Sequence, residues 1–488
     1  MICVPITSPR MPQALEDLAA AEALADIVEF RIDLIQDPDL AALIGAARKP
    51  VIVTNRTKLE GGQFRGTDEQ RVDLLRQAAE LGAGFIDIEV STPRDLLKSV
   101  VEMGKKSGVI LSFHDFTKTP DQLAGLYELM CEFPGDNVIK IVTYAQNITD
   151  NLQIFQLHER ARRDRRRLIS FCMGEKGEIS RILSPLFGGF LTFGALETGK
   201  ESAPGQILAS TLKHVYRVDR PRGAFKIFGV IGNPVSKSMG PVIHNRAFGE
   251  TGSPDIYVPF LVDNVETFFK GFEPYFEGLS VTMPFKEKIP PLLDAVEDTA
   301  KKIGAVNTVV REKGKWKGYN TDCIGALQAL EAHTRLEGKR VLIVGSGGTA
   351  KAIGHGLAQR GAKLTVTYNK NKERGEQLAR ELDCRAVPAS RLGEETMDVL
   401  INCSPVGMSP NIGESPVPAD RLKPGMIVFD SVYNPMETRL LKEAKAAGCL
   451  VISGIELFLN QAAAQFELWT GAPAPKAAMR EALMDKLQ

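Results

Sequence analysis

Short β-branched runs recur along the first two hundred residues. Each is followed by an amphipathic stretch, the alternation of a β/α protein with a parallel sheet. The runs are Ile2–Ile6, Ile27–Ile32, Val51–Asn55, Phe85–Val90, Val109–Phe113, Val138–Thr143, Leu168–Met173 and Phe190–Ala195; Gln70–Leu81, Arg94–Lys106 and Thr149–Arg163 are helical stretches between them. Eight such units in about 215 residues predict a (β/α)8 barrel over residues 1–218, with its active site where the strands end. The polar, proline-containing stretch Arg217–Gly223 then breaks the pattern, and residues 219–224 read as a linker.

A second α/β region starts at Phe225. Its first part, 225–335, holds strand candidates at Phe225–Ile231, Ile256–Phe260, Gly278–Val281 and Ala305–Val310. From 336 to 455 the run Val341–Val344 enters a glycine loop and a helix, followed by strands at Lys363–Thr367, Val399–Asn402, Ile427–Ser431 and Leu450–Ser453. That order predicts a Rossmann nucleotide-binding domain. The C-terminal helices, 456–488, are expected to complete the 225–335 domain, with Glu456–Gly471 packing back on it.

Composition narrows the function classes. The 488 residues carry 60 Lys+Arg against 60 Asp+Glu, so no basic field exists to attract nucleic acid or an anionic membrane. No apolar run approaches the ~20 residues of a spanning helix, and the first strand candidate starts at Ile2; the expectation is a cytoplasmic protein without a targeting segment. Seven cysteines without a C-x-x-C pair indicate reduced thiols and no metal site.

Charged groups cluster at the carboxyl ends of the barrel strands: Glu29, Arg31 and Asp33, then Arg56 and Glu60, then Asp87 and Glu89, then His114 and Lys140. A lysine between Ile139 and Ile141 suits a Schiff-base amine if burial and nearby cations such as Arg31 or Arg56 disfavour its charged form; the alternative is a strand lysine whose ammonium reaches solvent. His114 is the best candidate for a general acid/base, the alternative being a structural role.

Six blocks in this order resemble the type I 3-dehydroquinate dehydratases: Glu29-Phe30-Arg31-Ile32-Asp33, Asn55 to Gly62, Ser112-Phe113-His114-Asp115-Phe116, Lys140 in its strand, Ile179-Ser180-Arg181, and Ser202-Ala203-Pro204-Gly205-Gln206. The resemblance implies that Lys140 forms a covalent imine with the substrate ketone and that His114 moves the proton. It also implies that Arg181 clamps the carboxylate, that Glu29, Arg31, Arg56 and Glu60 hold hydroxyls and orient the pair, and that Ser202 and Gln206 belong to a lid. Phe171 stands where many relatives carry a methionine, which touches one contact and not the mechanism.

In the second half, Gly345-Ser346-Gly347-Gly348-Thr349-Ala350 follows a strand as a G-x-G-x-x-A turn. Where an NAD-type pattern wants an acidic residue stands Asn369, followed by Lys370 and Arg374, cations that favour the 2′-phosphate of NADP(H). Ser280 to Lys286, Gly318 to Asp322, Gly232 to Ser238, Ala305 to Thr308, Asp430 to Pro435 and Asn460-Gln461-Ala462 together resemble shikimate dehydrogenase. That resemblance implies substrate contacts from Ser236, Ser238, Thr282, Asn307, Tyr433 and Gln461, a catalytic pair Lys286 and Asp322, and Gly454 beside the cofactor. The two halves then act in sequence, from 3-dehydroquinate through 3-dehydroshikimate to shikimate, with small-molecule partners and a homodimer left open. A ligand-sensing regulator would need a DNA-binding segment that is not seen, and an NAD-dependent quinate dehydrogenase fits the serine pair and Asn369 poorly.

Overall fold

The computed structural model describes residues 1–101, 106–220, 222–369, 371–394 and 396–487, with the side chains of 392–394 left aside. By contacts the chain divides into two units, 1–225 with 258–274, and 226–257 with 275–488. The boundary differs from the expected one at 258–274. There the helix Val265–Phe272 carries Phe272 onto Phe155, ring centroids 6.1 Å apart and edge-on, and Gly271 lies close enough to Leu152 that a Cβ would sit 2.9 Å from it.

The first unit is an eight-stranded parallel sheet of β1 (Ile2–Ile6), β2 (Ile27–Arg31), β3 (Val51–Thr54), β4 (Phe85–Glu89), β5 (Gly108–His114), β6 (Val138–Tyr144), β7 (Leu168–Met173) and β8 (Thr192–Phe193). Its order runs from β7 down to β1 and on to β8. Phe190 N–H donates to Leu168 O at 2.7 Å and brings the two ends together, so the sheet is a nearly closed barrel. The eighth strand is shorter than the Phe190–Ala195 run predicts, because only Thr192 and Phe193 find ladder partners on β1.

Alternation along each strand explains how this sequence fills the barrel and arms it. Cys3, Ile27, Ile52, Ile110, Val138, Ile169 and Leu191 lie in one buried apolar cluster. Two positions further along the same strands come Glu29, Thr54, Ser112, Lys140, Phe171 and Phe193. Residues i and i+2 share a face, so β2, β3, β5 and β6 seal the interior at their starts and present polar groups further along, while Phe171 and Phe193 extend the apolar cluster. Helix starts are capped as the sequence allows; Thr67 and Gln70 form a reciprocal capping box at Asp68–Glu80.

Two further sheets follow in the chain. One orders β10 (Ile256–Leu261), β9 (Ile227–Gly232), β11 (Gly278–Val281), β13 (Thr308–Glu312), β14 (Lys315–Tyr319) and β12 (Ala295–Val296). The other orders β17 (Arg385–Pro388), β16 (Lys363–Tyr368), β15 (Arg340–Val344), β18 (Val399–Asn402), β19 (Ile427–Asp430) and β20 (Leu450–Ile452), all parallel. In this doubly wound order the crevice at the ends of β15 and β18 is the switch point, where such folds bind ligands. The helix Gly454–Thr470 returns to the first sheet: Trp469 Nε1 donates to Val309 O at 3.1 Å, and its ring stacks on Phe228. Among the described residues no helix is long and apolar enough to cross a membrane, and no group of three or more His, Cys, Asp or Glu is placed to hold a metal.

Candidate active sites

Lys140 projects from β6 into the barrel mouth, where its Nζ lies 2.8 Å from Asp87 Oδ2, 3.8 Å from Glu29 Oε1 and 4.5 Å from the centre of the Phe193 ring. The ammonium is buried and does not reach solvent. The expectation that cations crowd it is corrected: its nearest charged partner is a carboxylate. Arg56, the cation expected to repel it, is itself held by Asp87 and Glu89 at 2.8 and 2.9 Å. Asp87 stays ionised in spite of burial, because Arg56 and Lys140 hold its carboxyl well below the usual range.

His114, at the end of the neighbouring β5, turns Nδ1 to Glu60 Oε2 at 3.0 Å, and its backbone N–H donates to the same oxygen at 2.9 Å. Burial, helped by Arg56 and Lys140, pushes the imidazole well below its ordinary value, so it rests neutral. Burial pushes Glu60 up to about 7, although Arg56 works against the shift. An ionised Glu60 accepts Nδ1–H and leaves Nε2 as the basic nitrogen.

Lys140, His114, Glu29, Arg56 and Glu60 share one cavity with Arg31, Arg181, Phe171 and Ser202. Arg31 forks onto Asp33 at 2.9 and 2.8 Å, and Glu29 accepts from Thr54 at 2.6 Å. Arg181 lies over the Phe171 ring and donates to Pro204 O at 3.1 Å; burial lowers its guanidinium to about 10. In the expected lid Ser202 N–H donates to Gln206 Oε1 at 2.7 Å. Arg181 Nε and Gln206 Nε2 are buried donors with no acceptor among the described residues, a fit for an anionic substrate group.

In the second unit Lys286, just beyond β11, forms an ion pair with Asp322, in the first turn of the helix Thr321–Glu331. Asn320 caps that helix by accepting from Cys323 N–H. Asn307 is fully engaged inside: its Oδ1 accepts from Thr321 N–H at 2.7 Å and its Nδ2 donates to Thr321 Oγ1 at 3.0 Å, so it anchors the turn that presents Asp322. Ser236 is exposed, Ser238 and Thr282 are half-buried, Tyr433 stacks on Phe458, and Gln461 Nε2 donates to Phe458 O.

The glycine loop is built to admit a dinucleotide. Gly345 has φ +110°, which favours glycine; a Cβ on Gly347 would meet nothing, and one on Gly348 would stand 3.4 Å from Lys286 Cδ. The helix Gly348–Gln359 starts there with Thr349 and a buried Ala350, so backbone N–H groups face the crevice beside the Lys286–Asp322 pair. Gly454 is needed for close approach, since a Cβ would come 2.5 Å from Val432 O. Asn369 is exposed, Arg374 reaches Glu287 Oε1 at 2.5 Å, and Lys370 lies outside the described residues.

Sequence reasoning assigned no role to Gln465, whose amide takes Ser280 Oγ at 2.8 Å and donates to Thr308 Oγ1 at 3.0 Å and Asn307 O at 3.2 Å. The signal was one polar position on the buried side of the last long helix. Asp87 and Glu89 stood in the strand-end cluster without a role, and the two-residue spacing on β4 was the sign that both face Arg56.

An interior lysine–histidine barrel joined to a glycine-loop sheet with a lysine–aspartate pair defines a lyase and a reductase in one chain. Family models agree: type I 3-dehydroquinase matches residues 2–222, the shikimate dehydrogenase substrate binding domain 230–309, shikimate/quinate 5-dehydrogenase 327–412, and the shikimate 5′-dehydrogenase C-terminal domain 454–484. The chain is 39% identical to the chloroplastic bifunctional 3-dehydroquinate dehydratase/shikimate dehydrogenase of Arabidopsis thaliana, over 98% of this chain and 83% of that one. It is 32% identical to the shikimate biosynthesis protein AroDE of Chlamydia pneumoniae, over 96% and 95%. A crystal structure of shikimate dehydrogenase in complex with NADP+ matches 54% of this chain and 96% of that chain, at 37% identity and a TM-score of 0.52. The chain belongs to the family of bifunctional 3-dehydroquinate dehydratase/shikimate dehydrogenases. It is a shikimate-pathway enzyme with a lyase half and an oxidoreductase half.

Proposed function

We propose that Lys140 and His114 carry the dehydration of 3-dehydroquinate to 3-dehydroshikimate, and that Lys286 and Asp322 carry its NADPH-dependent reduction to shikimate. The observation that supports this most is the convergence, in one buried mouth, of an amine on β6 and a neutral imidazole on β5. The Lys140 amine attacks the ketone and water leaves, giving a protonated imine. His114 Nε2 takes the adjacent proton, and the electrons pass into an enamine that the imine nitrogen stabilises. Collapse of the enamine expels the hydroxyl as His114 returns its proton, and hydrolysis frees the amine, so the net change is loss of one water. Arg181 and the Ser202–Gln206 segment hold the carboxylate, with Glu29 and Arg31 on the hydroxyl side.

In the second unit, the bound nicotinamide supplies the hydride. Lys286, held by Asp322, delivers a proton to the oxygen on which negative charge develops. The glycine loop holds the pyrophosphate, and Asn369, in place of an acidic residue, with the sequence neighbours Lys370 and Arg374, supports a reading of the 2′-phosphate. The reading takes 1–218 as the dehydratase, 219–224 as the linker, 225–335 with 456–488 as the substrate domain and 336–455 as the NADP domain. It also takes the enzyme as cytoplasmic and independent of nucleic acid and membranes, with a homodimer to be tested by sedimentation. Purified chain given 3-dehydroquinate and NADPH is expected to consume both. Lys140→Ala should stop at the first step and Lys286→Ala should accumulate 3-dehydroshikimate; untouched 3-dehydroquinate with wild type would overturn the barrel assignment.

A further inference from the structure

Arg71 is the feature that the chemistry above leaves unexplained. It belongs to the helix Asp68–Glu80, on the outside of the barrel, yet it is only 1% exposed. Burying a guanidinium is unfavourable unless its donors are met, and here they are. Nε and Nη2 reach Asp68 Oδ1 at 3.1 and 2.8 Å, Nη2 also reaches Thr92 Oγ1 at 2.7 Å, and Nη1 pairs with Glu89 Oε2. The other oxygen of Glu89 accepts from Arg56 Nη1 at 2.9 Å and from Thr57 N–H at 3.2 Å. Arg56 Nη2 continues to Asp87 Oδ1 at 2.8 Å, and Asp87 Oδ2 takes Lys140 Nζ. Charges therefore alternate without a break from the helix to the reactive amine: Arg71, Glu89, Arg56, Asp87, Lys140.

We propose that Arg71 is a positioning residue for the Lys140 reaction, balancing Glu89 so that Arg56 remains shared with Asp87 and Asp87 does not hold the Lys140 ammonium alone. The inference rests on the imine reading of Lys140. Asp87 and Glu89 stand on one face of β4 and compete for Arg56. With Arg71 removed, Glu89 has Arg56 as its main cation and draws it away from Asp87. Asp87 is then compensated mostly by Lys140, and the free amine needed for attack becomes scarcer at a given pH. The other groups around Lys140 do not change in this comparison: Cys3 on β1, Glu29 and Arg31 on β2, Ser112 and His114 on β5, Phe193 on β8, and Arg181, which shares the cavity. Arg71 itself does not line that cavity, so it touches no substrate.

The test uses the full chain and reads the imine directly. Wild type, Arg71→Met and Arg71→Lys are mixed with 3-dehydroquinate, reduced with borohydride across a pH series, and the adduct on Lys140 is measured by mass, beside the pH profile of dehydratase kcat/KM. Trapping by Arg71→Met is expected to fall about tenfold near neutral pH and to recover roughly one pH unit higher. Arg71→Lys, which keeps the charge without the fork, should lie between. A loss by the same factor at every pH, or profiles coincident with wild type, overturns the proposal and makes Arg71 a packing residue. If Arg71→Met does not fold, the Arg71→Lys profile alone decides by the same criterion. Absence of any adduct in wild type would instead bring down the imine reading itself.

Discussion

The two candidate sites surround a lysine in opposite ways. In the barrel, Lys140 is one member of a buried network in which Asp87, Glu89, Glu29, Glu60, Arg56 and Arg71 come from two strands, one helix and the segment that follows β3. In the reductase, Lys286 has one carboxylate, Asp322, and its side chain is 19% exposed against 5% for Lys140. The difference matches the tasks. A covalent amine must be fixed in direction, which buried partners from several strands hold without any part moving. A proton donor beside a departing cofactor needs one partner and an open crevice. The barrel site is therefore expected to be sensitive to distant charges and the reductase site only to its own pair.

The largest effects separate the sites outright. Lys140→Ala should reduce dehydratase turnover to background while 3-dehydroshikimate reduction stays at the wild-type rate, because Lys140 belongs to the first unit and the Lys286–Asp322 pair to the second. Lys286→Ala should lower reductase kcat by about 10²- to 10⁴-fold, the range for loss of a positioned proton donor, with dehydratase unchanged. Separate assays on the same preparations check both, and a cross effect in either direction would break the comparison.

Glu60 sharpens the contrast through pH. With its carboxyl pushed up to about 7, dehydratase kcat should rise as pH passes through that value, since only the ionised form holds Nδ1–H and leaves Nε2 free. Glu60→Gln should flatten this limb, and adduct trapping, which precedes proton removal, should not follow it. Stability runs the other way. A carboxyl that binds its proton more tightly in the folded chain stabilises below about 4.5 and loses that contribution as pH rises through about 7. The stability of wild type relative to Glu60→Gln, from denaturant melts, should fall over that window by up to about 3 kcal/mol.

How far the sequence foretold this arrangement follows from the same contrast. Barrel strands were legible to within a residue or two because β-branched runs bounded by turns stand out. The Lys140 and His114 positions followed from strand ends and from the family resemblance. Short strands at and beside the sheet edges were not legible: β17, an edge strand, is four residues with a terminal proline, and β14, next to the edge, reads Lys-Trp-Lys-Gly-Tyr, where one side is charged. The charge network was not legible either. Arg71 lies in a helix start dense in Asp, Glu and Gln, which looks like a solvated face, and its partner Glu89 is eighteen residues away on a strand. Sequence spacing finds groups on one element; it does not pair groups across two.

A smaller effect tests the crevice. Gly454→Ala would put a methyl 2.5 Å from Val432 O and 2.7 Å from Ser431 O, backbone atoms that cannot turn aside. Forcing that shift is expected to cost about 1–3 kcal/mol and to raise KM for NADPH, with dehydratase kinetics untouched; thermal melts and initial rates measure the two.

The smallest expected effect concerns Glu287, the residue next to Lys286. Its carboxylate holds Arg374, a cation that the 2′-phosphate of NADP would use, so phosphate and carboxylate compete for one guanidinium. Both side chains are more than a third exposed, which limits such a pair to about 0.2–1 kcal/mol. Glu287→Gln should accordingly lower KM for NADPH by about two- to fivefold and leave KM for NADH where it is, because NADH has no 2′-phosphate to gain from a released arginine. An equal change for both cofactors would mean that Glu287 acts on Lys286 next door, and the reductase site would then share the sensitivity to neighbouring charge that distinguishes the barrel.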